Sequence, residues 1–538
     1  MEAYSMDAIW LVVISFLVSF VLACGIGAND VANSFGTSVG SKVLSVRTAC
    51  ILATIFEMAG AILIGYKVSD TMRKGILDVT LYENNELELI LGCLSSLVGS
   101  AIWLIVATFL KLPISGTHSI VGATVGFSLV CRGTQGLQFK TLGMIVASWF
   151  VSPLLSGIVS VVLFVSIRGL ILRAENPLNP ALRALPFFYM ATISVNVFSI
   201  VHNGPKLLYL DNIPLWIAFA VSIGVGALTA IVVQLVVVPW QRKQVLEDIR
   251  KSAEKDVVQF TFGDSTDSSR DGSPRNSKML EEASKTLPVI VEVPANNNAY
   301  LLAESESLSD IPIKECKTDI EGPRLNPHGN VTPAFGLSPN SSAVPLIKEK
   351  PIEPMQIEVK GDEEVSERPE IIRVFSFLQI LTATFGSFAH GGNDVSNAIG
   401  PLVAVWLIFI DGNVLQKSET PLFILVFGGI GIAIGLWVWG RRVIQTIGED
   451  LTKITPTTGF SIEIGAAMTV LLASKIGIPI STTHCKVGSV VFVGWAGSSS
   501  SGVDWRLFRN IISAWIVTVP VAGILSAAFT FALRPLVV

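Results

Sequence analysis

Gly27–Gly36 reads GANDVANSFG and Gly391–Gly400 reads GGNDVSNAIG, one motif written twice. A second pair follows each copy: Pro113–His118 reads PISGTH and Pro479–His484 reads PISTTH. Asn29 precedes Pro113 by 84 residues and Asn393 precedes Pro479 by 86. Two motifs in the same order at nearly the same interval mark a duplicated chain. The surroundings of these motifs say what kind of chain it is. Ala8–Ala28, Leu89–Leu110, Thr141–Ile167, Ile213–Trp240, Pro421–Gly440 and Ile511–Leu533 contain no Asp, Glu, Lys, Arg or His. About 20 apolar residues suffice to cross the hydrocarbon layer as a helix.

Further segments carry isolated polar groups: Thr48–Tyr66 around Glu57, Leu112–Cys131 around His118, Ala184–Lys206 around His202, Val374–Ile410 around His390 and Asp394, and Thr455–Val503. Together they predict an all-α polytopic membrane protein of about twelve transmembrane segments, in two inverted repeats with re-entrant helical hairpins. Composition agrees. The 538 residues are 51% hydrophobic and 15% charged, whereas a soluble domain is about a quarter charged.

Three regions are expected: a first membrane half over 8–240, a linker over 241–372 and a second membrane half over 373–538. The linker is rich in Ser, Pro, Asn, Asp, Glu and Lys, too polar to build a core, and is read as disordered. It holds a candidate phosphorylation stretch, Asp264–Ser277, and sequons at Asn330 and Asn340. Arg242, Lys243, Arg250 and Lys251 on one side and Arg368 and Arg373 on the other place it in the cytoplasm by the positive-inside rule. The N-terminus is then extracellular. The cysteines, Cys24, Cys50, Cys93, Cys131, Cys316 and Cys485, have no metal or redox spacing and read as packing residues.

Carboxylates at lipid depth are costly, so Asp30, Asp394 and Glu57 are functional candidates. In Asn-Asp-x-x-Asn one helical turn puts Asn29 and Asn33 on one face, as it does Asn393 and Asn397. The glycines ahead of it, Gly25 and Gly27 or Gly391 and Gly392, are expected to weaken the helix and turn carbonyls inward. One carboxylate with amide and carbonyl oxygens suits an alkali cation. The alternative is that these groups only bond helix to helix.

Pro-Ile-Ser-x-Thr-His marks a chain break followed by a helix start, whose hydroxyls and free N–H groups attract an anion without needing Arg or Lys. His118 and His484 either complete that site or brace the hairpin. Lys111 and Lys475 read as snorkelling anchors. Glu57 and Glu463 do not align in the repeat; each is an ion or proton group, or a structural acid.

These four motifs, in this order around a long polar loop, resemble the inorganic phosphate transporter (PiT) family over roughly Ile9–Trp240 and Arg373–Val538. The resemblance implies phosphate uptake coupled to sodium by alternating access at the plasma membrane, with sodium as the co-transported ion and no other cofactor. It implies sodium at Asp30, Asp394, Asn29 and Asn393, with Asn33 and Asn397 alongside. Phosphate would lie on Ser115, Thr117, Ser481, Thr482 and Thr483, and coupling would rest on Glu57 in FEMAG and Glu463 in GFSIE. Gly116 stands where the second hairpin has Thr482, so the two hairpins need not contribute equally.

An ion channel or a proton-coupled anion transporter is the rival reading. A membrane enzyme is disfavoured, because Ser115 and His118 have no third orienting residue. The expected partners are phosphate, sodium and the lipid bilayer, with no nucleic acid; a homo-oligomer is left open.

Overall fold

A chain at lipid depth has no water for its N–H and C=O groups, so it satisfies them within helices. The computed structural model describes residues 2–537 apart from 31, 205–208, 264–366, 441–442, 445–449 and 498–501, and only the backbone of 32 and 252–263. Among the described residues ten helices are long and apolar enough to cross a membrane. The first half runs α1 (Met6–Asp30), α2 (Ala32–Gly40), α3 (Val46–Ile64), α4 (Tyr66–Lys74), α5 (Glu86–Phe109), α6 (Gly116–Arg132), α7 (Phe139–Ile167), α8 (Leu178–Val201), α9 (Leu215–Val232) and α10 (Val238–Gly263). The second runs α11 (Pro369–Asp411), α12 (Leu422–Trp439), α13 (Pro456–Ile476), α14 (Thr482–Gly497) and α15 (Trp505–Val537). Two segments counted toward the expected twelve, around His118 and His484, fold as the shorter helices α6 and α14, which turn back from α5 and α13 as hairpins.

The halves interlace. α1 packs on α12 of the other half and α3 on α11; α6 packs on α15 and α14 on α7. Glycines make these crossings close. A Cβ on Gly27 would lie 1.9 Å from the Ile432 carbonyl oxygen, and one on Gly435 1.8 Å from that of Cys24. The other crossing repeats this: a Cβ on Gly60 would lie 1.9 Å from the Phe388 oxygen and one on Gly391 2.0 Å from the Glu57 oxygen. The expectation that glycine loosens the helix before each motif is therefore corrected. α11 passes unbroken through Gly391 and Gly392, because a flanking carbonyl occupies the space a side chain would need.

Helix α10 continues to Gly263, past Gln241 where the polar linker was expected to begin, and α11 starts at Pro369 rather than 373. The reason is apolar spacing: Val245 and Ile371 are both buried in a small core with Val374 and Phe375. Asp264–Ser277, Asn330, Asn340 and Cys316 lie outside the described residues. The remaining five cysteines are unbridged and, apart from Cys24, buried. Residues 1–258 and 361–538 form one compact unit.

Candidate functional site

Each hairpin turn is built twice, bond for bond. Leu112 N–H donates to the Ala107 oxygen at 3.0 Å, and Ile478 N–H to the Ala473 oxygen at 3.0 Å. Two residues before the proline the backbone is left-handed in both, at Lys111 (φ 57°) and Gly477 (φ 84°). The motif serine then caps the returning helix: Ser115 Oγ accepts from His118 N–H at 3.2 Å, and Ser481 Oγ from His484 N–H at 3.1 Å. Both serines thus accept an N-cap bond at the start of the returning helix.

The two turns meet each other. Thr117 Oγ1 donates to the Ile480 oxygen at 2.8 Å, and Thr483 Oγ1 to the Ile114 oxygen at 3.0 Å. The Asn-Asp-x-x-Asn motifs join them crosswise. The first Asn of each holds the turn of its own half: Asn29 Nδ2 donates to the Leu112 oxygen, and Asn393 Nδ2 to the Ile480 oxygen, both at 3.0 Å. The last Asn of each reaches the opposite half: Asn33 Nδ2 donates to Thr483 Oγ1 at 3.0 Å, and Asn397 Nδ2 to Thr117 Oγ1 at 2.9 Å.

The aspartates are buried at the same junction of motifs and turns, 2% and 5% exposed. Thr482 Oγ1 donates to Asp394 at 3.3 Å, and Thr483 Oγ1, which donates to the Ile114 oxygen, lies 3.3 Å from Asp30 Oδ1. A Cβ on Gly116 would lie 2.9 Å from Asp30 Oδ2. The glycine therefore lets Asp30 approach the backbone of its own turn, where Asp394 meets a hydroxyl. His390 Nδ1 is 3.5 Å from Asp394. Among the described residues no Lys or Arg lies within ion-pair distance of Asp30, Asp394 or Glu57. The amide oxygens of Asn33, Asn393 and Asn397 are buried without a hydrogen-bond partner. Carboxylates beside unpaired amide oxygens fit a hard cation such as sodium.

His118 and His484, which follow the two turns, pack on each other and on tryptophans, and His118 Nδ1 and His484 Nε2 are buried without a hydrogen-bond partner. Their rings are 4.4 Å apart, between Trp149 at 3.9 Å from His118 and Trp515 at 3.7 Å from His484. His484 Nδ1 also contacts the Trp149 oxygen at 3.0 Å. His202 packs on Phe198 outside the junction's bonds. Lys475, read as a snorkelling anchor, donates to the Ser199 oxygen at 2.6 Å.

The short polar helix α2 joins the two glutamates that the repeat left unrelated. Ser34 Oγ donates to Glu57 at 3.3 Å, and Thr37 and Ser38 each donate to Glu463 at 2.6 Å. Thr382 Oγ1 and Gln379 Nε2, both on α11, donate to Glu463 at 2.5 and 3.3 Å. Sequence reasoning missed these residues and Lys486. The signal was present: Asn33, Thr37 and Ser41, with Ser34 and Ser38, recur at helical spacing on one face.

The profile of the phosphate transporter family matches residues 26–526. A relative called sodium-dependent phosphate transporter 2, from Xenopus tropicalis, is 42% identical over 97% of this chain and 97% of its own length. Sodium-dependent phosphate transporter 1-A of Danio rerio is 42% identical over 98% and 96%. Among solved structures, one titled as the sodium-dependent phosphate transporter superposes with a TM-score of 0.70 at 30% identity, covering 98% of this chain and 99% of that one. With its paired motifs bonded at one buried junction and the match extending over nearly its whole length, this multi-pass membrane protein belongs to the phosphate transporter family.

Proposed function

We propose that the chain is a secondary active transporter that carries inorganic phosphate with sodium by alternating access. The single observation that carries this reading is the crosswise bonding by which each Asn-Asp-x-x-Asn motif reaches both hairpin turns. Asp30 and Asp394, with Asn29, Asn33, Asn393 and Asn397, supply oxygen ligands to sodium. Thr117, Thr482 and Thr483, with the N–H groups at the starts of α6 and α14, receive phosphate.

Coupling follows from charge. Asp30, Asp394 and Glu57 have no Lys or Arg to balance them among the described residues, so an incoming anion is repelled until cations fill the site. The names of the relatives support sodium as that cation. Release requires the two turns to separate, which breaks the Thr117–Ile480 and Thr483–Ile114 bonds. A repeat whose halves exchange partners supports an inverted pair moving about this site.

Further parts of the reading are a plasma-membrane location, an extracellular N-terminus and a cytoplasmic loop between halves. Purified protein in proteoliposomes is expected to take up radiolabelled phosphate saturably under a sodium gradient and not under choline. Uptake that is unsaturable and indifferent to sodium would instead mean a channel.

A further inference from the structure

Lys486 stands two residues beyond His484 on α14 and is 1% exposed. The corresponding residue of the first hairpin, two beyond His118, is Ile120. An ammonium group at this depth needs a counter-charge. Its Nζ donates to Thr37 Oγ1 at 3.1 Å, and Thr37 Oγ1 donates onward to Glu463 Oε1 at 2.6 Å. An ammonium–hydroxyl–carboxylate relay therefore ties α14, which carries the anion-facing threonines, through α2 to α13. Glu57 has nothing equivalent: it receives Ser34 Oγ at 3.3 Å, and among the described residues no Lys or Arg bonds to Ser34 in turn as Lys486 bonds to Thr37.

We propose that Lys486 is a tethered counter-cation for Glu463, so that the protein itself balances the second half's glutamate while Glu57 is left to an ion from solution. This rests on the transport reading above and divides the labour of its two glutamates. Lys486 is then a positioning residue. By holding Thr37 it keeps α2 seated, and with it Asn33 against Thr482 and Thr483.

The test is a double-mutant cycle on the full-length protein, read both as phosphate uptake against sodium in proteoliposomes and as melting temperature in detergent without substrate. Glu463→Gln leaves the ammonium unbalanced and Lys486→Met leaves the carboxylate unbalanced; each is expected to lower uptake by roughly tenfold or more and to lower the melting temperature. The isoelectric pair Glu463→Gln/Lys486→Met is expected to recover melting and most of the uptake, with the sodium Hill coefficient of the wild type. Lys486→Arg is expected to keep both. Glu57→Gln/Lys486→Met is expected to show no recovery.

If the double variant stays as inactive as Glu463→Gln, or returns with a lower Hill coefficient, Glu463 carries a transported ion and the proposal falls. Additive losses in melting temperature, or single variants indistinguishable from wild type, overturn it equally. The melting arm needs neither sodium nor phosphate, so it is decided even if wild-type uptake contradicts the transport reading.

Discussion

Asp30 and Asp394 are the residues to which the proposed transport assigns the cation, and each is a buried carboxylate beside a threonine of a hairpin turn. Asp30→Asn and Asp394→Asn keep the shape and remove the charge that, on the proposed function, draws a cation. Sodium-driven uptake is expected to fall by more than about tenfold in each, a change of roughly 1.4 kcal/mol or more in ion binding. Melting in sodium-free detergent should hold or rise, since a buried charge is lost. Glu367, just ahead of α11, makes a different case. Thr455 Oγ1 and Thr457 Oγ1 donate to its Oε1, while its Oε2 is shielded without a partner. Burial pushes its carboxyl from 4.5 up to about 7. The folded protein therefore keeps a proton that the unfolded chain releases, and its stabilising effect is full below the unfolded value and lost as pH rises through about 7. Melting temperature should decline across that window in wild type and stay flatter in Glu367→Gln.

The hairpin turn is the smallest element that recurs intact, and it tolerates two different residues at its left-handed position. Gly477 adopts φ 84° freely, while Lys111 adopts φ 57° at a cost. Lys111→Gly is expected to be neutral or to stabilise by up to about 1 kcal/mol, and Gly477→Lys to destabilise by at least as much, read from paired melting curves. Helix crossings impose a stricter demand. Gly391→Ala would press a methyl group onto the Glu57 carbonyl and spread α3 from α11, costing on the order of 1–3 kcal/mol. Gly386→Ala on the same helix meets only the Ala467 Cβ at 4.0 Å. It is expected to be harmless or slightly stabilising in the same melting assay, because alanine favours helix.

At the scale of the molecule, the halves are interlaced rather than joined side by side, since α1 and α3 find their partners in the second half, and α14 finds its own in the first. Neither half can bury its crossing glycines alone. Fragments 1–258 and 361–538 are expected to yield no monodisperse protein when expressed singly. Co-expressed, they should recover a complex that co-purifies and takes up phosphate. An independently folded half would show that the crossings are not needed for folding.

Much of this is legible in the amino-acid sequence. Uncharged runs of bilayer length declared the class, because the cost of a bare peptide group in lipid leaves helix as the outcome for such segments. The doubled motifs pointed to a duplication and brought Asn29, Asp30, Asn33 and their counterparts forward as candidates, which the fold gathers at the two hairpin turns. Three-dimensional packing decided what one-dimensional spacing cannot hold. It showed that the last Asn of each motif serves the other half's turn, and that the motif glycines admit a neighbouring carbonyl rather than break a helix. It also turned His118 and His484 toward Trp149 and Trp515, and gathered Glu57, Glu463 and Lys486 around one small helix. Those groups lie far apart along the chain, and a hydrogen bond or an ion pair depends on distance in space, which only the assembled helices define.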